Sequence, residues 1–164
     1  MKHYLYINDV GNLQKTVEEA IELKKNELKY SELGKGKTIC LLFFNNSLRT
    51  RLSTQKAAQN LGLNVVVMNF GNEGWQLEYE DGAIMNKDKA EHIKEAAKVI
   101  AQYCDIVAIR AFASLTDKEK DRAEVILESF KKLAGIPVVN MESATGHPMQ
   151  ALADAITMEE FKVA

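Results

Sequence analysis

A chain of 164 residues with 46% hydrophobic content is long enough to bury one core and too apolar for a disordered segment. Its 21 basic and 23 acidic side chains leave a net charge of -2, which excludes general polyelectrolyte attraction to nucleic acid. No apolar run approaches membrane-spanning length and the opening MKHYLYINDV is too polar for a signal peptide, so the expectation is a cytoplasmic protein with neither nucleic acid nor membrane as partner.

Residues 1–12 show no period. From Leu13 to about Tyr30, the residues Leu13, Val17, Ala20, Ile21 and Leu28 recur at helical spacing and predict a first helix. Ser31 to Lys37 breaks it with two glycines, and Thr38 to Phe43 is then a continuous apolar run, the pattern of a strand buried on both faces. A helical pattern begins near Leu48 and reaches about Leu61, where Gly62 is placed to stop it. Asn64 to Asn69, with three valines, is the second strand. Phe70 to Lys89 carries Gly71, Gly74, Gly82 and the only tryptophan, Trp75, without a clear period; a connection of that length is functional or disordered. Helical spacing resumes with Ile93, Ala96, Ala97 and Ile100, up to Tyr103. Asp105 to Ile109 is the third strand, with Arg110 at its end. Thr116 and Asp117 cap a single helix read through Val125, Phe130 and Leu133 to a stop at Gly135. Ile136 to Met141 is the fourth strand, a polar turn follows from Glu142 to Gly146, and a last helix runs from Met149 towards Phe161.

Strands alternating with helices predict an α/β fold, a three-layer αβα arrangement around a parallel sheet of about four strands. In such sheets ligands bind outside the carboxyl ends of the strands, where the strand order reverses. Three polar groups fall there: Ser47 to Arg51 after the first strand, Arg110 after the third, and His147 to Gln150 after the fourth. Ser47-Leu48-Arg49-Thr50-Arg51 sets two hydroxyls and two guanidiniums at a helix start, an inventory suited to a small dianion such as a phosphate group. Arg49 and Arg51 stand roughly 200° apart on a helix. Arg49 is therefore expected to face the ligand and Arg51 to buttress a carboxylate. Pro148 is pre-set for a first helical position and holds His147 at the helix mouth, within reach of Gln150. Glu142 either receives a substrate ammonium or neutralises a nearby arginine.

Other chemistries lack their residues. Gly34-Lys35-Gly36-Lys37-Thr38 has Ser31 where a Walker A loop needs its first glycine, and it precedes its strand. No GxGxxG follows a strand. Cys40 and Cys104 make no metal or disulfide pattern and read as small hydrophobes in a reducing compartment. A site of this kind works by positioning and charge stabilisation.

With Ser47-Leu48-Arg49-Thr50-Arg51, Arg110 and His147-Pro148-Met149-Gln150 in hand, the chain resembles the carbamoyltransferases, which hold carbamoyl phosphate with an S-x-R-T-R loop and an H-P-x-Q segment. It is most similar to the branch acting on N-acetylornithine and N-succinylornithine in arginine biosynthesis, through Phe43-Phe44-Asn45-Asn46-Ser47-Leu48-Arg49-Thr50-Arg51, Trp75, and Glu142-Ser143-Ala144-Thr145. The resemblance implies that Ser47, Leu48 (through its amide), Arg49 and Thr50 hold the phosphate. It implies that Arg110, His147 and Gln150 hold the carbamoyl end, with Pro148 and Met149 completing the segment. It implies that Arg49, Thr50, Arg110 and His147 are the catalytic residues. Trp75 would reach a neighbouring subunit's carbamoyl phosphate across a homotrimer, Glu142 would contact the N-acylornithine, and neither cofactor nor metal is implied. The loop near Ala90 is where the family tunes its acyl preference. Family members carry a second domain for the amino acid. Residues 1–150 are therefore expected to be the carbamoyl-phosphate-binding domain, and 151–164 the start of a crossover helix towards a domain absent from this chain, with Ile156 and Phe161 lacking cover.

Overall fold

The computed structural model describes residues 2–70, 76–79, 82, 89 and 91–162. After a 3₁₀ turn at Ile7–Val10 come α1 (Leu13–Lys25), β1 (Thr38–Phe43), α2 (Leu48–Asn60) and β2 (Asn64–Asn69). The short strands β3 (Leu77–Glu78) and β4 (Glu91–His92) follow, then α3 (Ile93–Ile100), β5 (Ile106–Ala111), α4 (Lys118–Ala123), α5 (Val125–Leu133), β6 (Val138–Ser143) and α6 (Pro148–Glu160). The apolar runs pair as one parallel sheet in the order β2-β1-β5-β6, while β3 and β4 make a separate two-stranded pair. The chain steps outward from β1 to β2, then restarts beside β1 with β5 and steps the other way. The reversal of strand order therefore falls between β1 and β5.

Alternation along the strands sorts the core into two faces. Cys40, Leu42, Val107, Ile109 and Val138 meet Ile93, Ala97, Leu127 and Phe130 of α3 and α5. Ile39, Leu41, Phe43, Ala108 and Met141 meet Ala58 of α2 and Met149 of α6. The two helices that carry the S-x-R-T-R and H-P-x-Q segments thus cover the same face, and both begin at the carboxyl edge of the sheet.

Several boundaries differ from the sequence reading. α1 stops at Lys25, not near Tyr30, and Leu28 is exposed. The chain turns early, which lets Gly34 press on Leu61 and Leu63 at the start of the next layer. The expected helix through Leu133 is broken at Glu124, whose φ of 42° is left-handed. The fourth strand is shifted to Val138–Ser143, so Glu142 lies inside β6 and not in a turn beyond it. Arg110 likewise lies within β5. The extension follows from β5, where Arg110 lies opposite Glu142 and Ala111 opposite Ser143, while the N-terminal segment, which showed no period, bonds to the other edge of the strand. Tyr4 N–H donates to Val138 O at 2.9 Å, Asn140 N–H donates to Tyr4 O at 2.8 Å, and His3 Nδ1 accepts from Val138 N at 3.2 Å. Phe161 is exposed as expected, whereas Ile156 is half-buried.

Candidate functional site

α2 opens on Ser47, whose extended backbone places its Oγ to accept from Thr50 N at 3.3 Å while its hydroxyl donates to Thr50 Oγ1 at 2.9 Å. That bond caps one of the four unsatisfied amides of a helix start. The amides of Leu48 and Arg49 have no acceptor among the described residues, and they add to the positive end of the helix. Arg49 is exposed in the same turn and makes no ion pair among the described residues. Arg51 is exposed too, and no carboxylate among the described residues pairs with it.

Arg110 sits at the reversal point. Its Nε–H donates to Glu142 Oε2 at 2.9 Å, with Nη2 2.8 Å from the same oxygen, and Nη1 donates to Asn45 O at 3.0 Å and Asn46 O at 3.2 Å. The two side chains are only 12% and 19% exposed, so the pair is largely desolvated. Of the two roles left open for Glu142, neutralising an arginine is the one seen here. An irregularity in the β5–β6 register makes this pair: Ile109 lies opposite Asn140, but Arg110 lies opposite Glu142, leaving Met141 as an extra residue. A bulge of this kind re-aims a side chain. Among the described residues these contacts leave one Nη2 N–H of the guanidinium for a ligand.

His147 is the N-cap of α6, and its Nδ1 accepts from Gln150 N at 3.4 Å. A neutral imidazole held that way carries its proton on Nε2, which becomes a donor facing outward. Gln150 Nε2 donates to Asp154 Oδ1 at 2.8 Å, so its side-chain carbonyl is the part left open. Pro148 O accepts from Tyr4 Oη at 3.1 Å, and Met149 packs into the core. Neighbouring strands lie about 4.8 Å apart. The mouths of α2 and α6, above β1 and β6 with β5 between, therefore flank Arg110 on both sides. Trp75 and Ala90 lie outside the described residues.

Sequence reasoning missed two parts of this edge. One is the pair of carbonyls of Asn45 and Asn46, which no side-chain pattern announces. The other is Glu124, whose place in a helical run of good helix formers gave no signal. A cavity of about 970 Å³ lies on the α3–α5 side, lined by Phe44, Phe70, Tyr79, Phe112, Glu124 and Ser143 among others. It touches the turn before α2 at Phe44 and Asn45.

Such an edge, with a capped helix mouth, an arginine without an ion pair among the described residues and a second arginine in a carboxylate fork, is the kind that suits an α/β domain to an anion. Residues 2–160 match the family described as "Aspartate/ornithine carbamoyltransferase, carbamoyl-P binding domain", and the chain belongs to that family. It is 50% identical over 162 residues to the N-succinylornithine carbamoyltransferase of Bacteroides fragilis, covering 99% of this chain and 51% of that protein. It is 42% identical to the N-acetylornithine carbamoyltransferase of Xanthomonas campestris pv. campestris, covering 98% of this chain and 47% of the relative. Among solved structures, acetylornithine transcarbamylase complexed with acetylcitrulline superposes with a TM-score of 0.88 at 40% identity, over 98% of this chain and 48% of that one. The chain thus spans about half the length of the relatives it matches.

Proposed function

We propose that this chain is a carbamoyl-phosphate-binding unit. The observation that carries the reading is the mouth of α2, where the Ser47 and Thr50 hydroxyls meet and where the Leu48 and Arg49 amides and the Arg49 side chain have no partner among the described residues. A dianionic phosphate fits that charge, and a helix N-terminus favours it. Arg110, with its one open N–H, and His147, through Nε2–H, then address the carbamoyl oxygen, with the Gln150 carbonyl accepting from the carbamoyl amide. Calorimetric titration with carbamoyl phosphate tests this. Arg49→Ala is expected to weaken binding at least tenfold, about the worth of a charge-assisted hydrogen bond, and equal affinity in both proteins would sink the assignment.

A second reading extends the first, and the N-acylornithine names carried by relatives at 50% and 42% identity favour it. As part of a full transferase, the unit serves carbamoyl transfer to the δ-amine of N-acetyl- or N-succinylornithine. The uncharged amine nitrogen attacks the carbamoyl carbon and the bond to the phosphate oxygen breaks. Phosphate leaves with that electron pair into the mouth of α2 and takes up the amine's proton. Arg49, Thr50, Arg110 and His147 meet the charge that develops on the carbonyl oxygen. Glu142 is the residue of this chain for the acceptor, with Trp75 supplied by a neighbour in a homotrimer. Formation of the N-acylcitrulline from either acceptor supports this reading. Product from free ornithine alone argues for another branch of the family.

A further inference from the structure

Glu124 is an anomaly on three counts. It is a non-glycine residue at φ 42°, a conformation costing about 1 kcal/mol or more. It is 9% exposed although it is a carboxylate, and it breaks what would otherwise be one helix from Lys118 to Leu133. What holds it there lies across the molecule. Its Oε1 accepts from both Thr145 N and Thr145 Oγ1 at 2.9 Å, and its Oε2 accepts from Tyr6 Oη at 3.1 Å. Burial pushes its carboxyl up, but hydrogen bonds from Ser143, Thr145 and Tyr6 outweigh this and hold it below its ordinary value of 4.5.

Thr145 is two residues before His147. The segment between them is fixed on its other side by the backbone bond from Ser143 N to Gly146 O at 2.8 Å and by the fully buried Asn140, whose Nδ2 donates to Leu5 O and Ser143 Oγ at 3.0 Å. The β6–α6 turn is therefore gripped from two directions, and the grip ends where the imidazole begins. We propose that Glu124 is a positioning residue for the anion site: its carboxylate clamps Thr145 and so sets the turn that presents His147 and the mouth of α6 to the ligand. The proposal rests on reading that edge as the carbamoyl-phosphate site. It also accounts for the backbone. The carboxylate meets Thr145 from this left-handed backbone at the break between the two helices.

Glycine is at ease at a left-handed position, so Glu124→Gly removes the clamp without disturbing the path of the chain. Glu124→Gln keeps an oxygen for Thr145 and removes the charge. In titrations with carbamoyl phosphate, Glu124→Gly is expected to lose about tenfold in affinity with its melting temperature near that of the parent, while Glu124→Gln stays within about threefold. Wild-type affinity in Glu124→Gly overturns the proposal. So does equal weakening in both variants, which would make the charge, and not the clamp, responsible. The Arg49→Ala control separates the two ideas, since failure there removes the site and not the clamp. The clamp is then read without ligand, from the ¹⁵N shifts of the His147 ring at alkaline pH. One protonated and one acceptor nitrogen are expected in the parent and in Glu124→Gln, and averaged nitrogens in Glu124→Gly. Unaveraged nitrogens in Glu124→Gly overturn the inference on their own.

Discussion

Arg110 uses most of its donors on the protein itself, and that decides what its replacement does. Substitution by leucine leaves Glu142 and two backbone carbonyls without their partner in a largely desolvated place. We expect Arg110→Leu to destabilise by roughly 2–4 kcal/mol in urea unfolding, and Glu142→Leu by a similar amount. The double variant should lose clearly less than the sum, with a coupling of about 1–3 kcal/mol. Additive losses would show the pair to be incidental. Lysine will not restore Arg110, because a point ammonium cannot reach a carboxylate and two carbonyls in three directions. Acid sensitivity also belongs to single residues. Backbone bonds from Tyr6 and Leu5 outweigh burial and hold the Asp9 carboxyl below its ordinary 3.8, and Glu124 is likewise held below 4.5. A carboxyl depressed in the folded state contributes stability that is complete above its unfolded value and is lost as pH falls through its native one. Stability is therefore expected to fall below about pH 4.5, and Glu124→Gln should flatten that fall. An unchanged acid slope in Glu124→Gln would remove it from the account.

Elements were legible in the sequence where burial alone forms them. The four sheet strands and the helices α2, α3 and α6 follow from runs and periods set by two core faces, and the gathering of three polar groups towards one sheet edge follows from the strand order, although Arg110 lies inside β5 and not past it. The errors occur where distant contacts overrule local preference. Glu124 is a good helix former in a helical run, yet Thr145 and Tyr6 draw it out of the helix. Met141 reads as the last strand residue, yet the bulge carries the strand on to Ser143 and puts Glu142 beside Arg110. Leu28 fits a helical period by chance and is 61% exposed. Gly62 shows the reverse case, a stop that was legible for a partial reason. Its φ of 80° ends α2 as expected, but a Cβ there would also stand 2.0 Å from Ser31 O. Gly62→Ala is expected to cost roughly 2–4 kcal/mol, the left-handed penalty plus the clash. Gly36, at φ 76° with open space around it, should cost only the first part when changed to alanine. Equal losses at the two positions would mean that the packing of the 27–36 turn on α2 matters little.

For the whole molecule, the proposed trimer has a direct measure. Leu48 and Leu52, one turn apart on α2, are 75% and 59% exposed, more apolar surface than a capped, solvated helix start needs. Sedimentation equilibrium should give three times 18.4 kDa, and Leu52→Glu should shift it towards the single-chain mass. A single-chain mass for the parent would withdraw the trimer and leave the anion site as it stands. The fork of Arg110 carries a last consequence, for motion. Its bonds tie the turn before α2 to a residue 65 positions later and that residue to another 32 positions on. Closing loops of that length is an entropic cost met once, when the chain folds. The turn that precedes the proposed anion site is therefore expected to have no cheap local opening. Its amides should exchange with solvent deuterium through the same sub-global event as the centre of the sheet, and the proposed site would be ordered before an anion arrives.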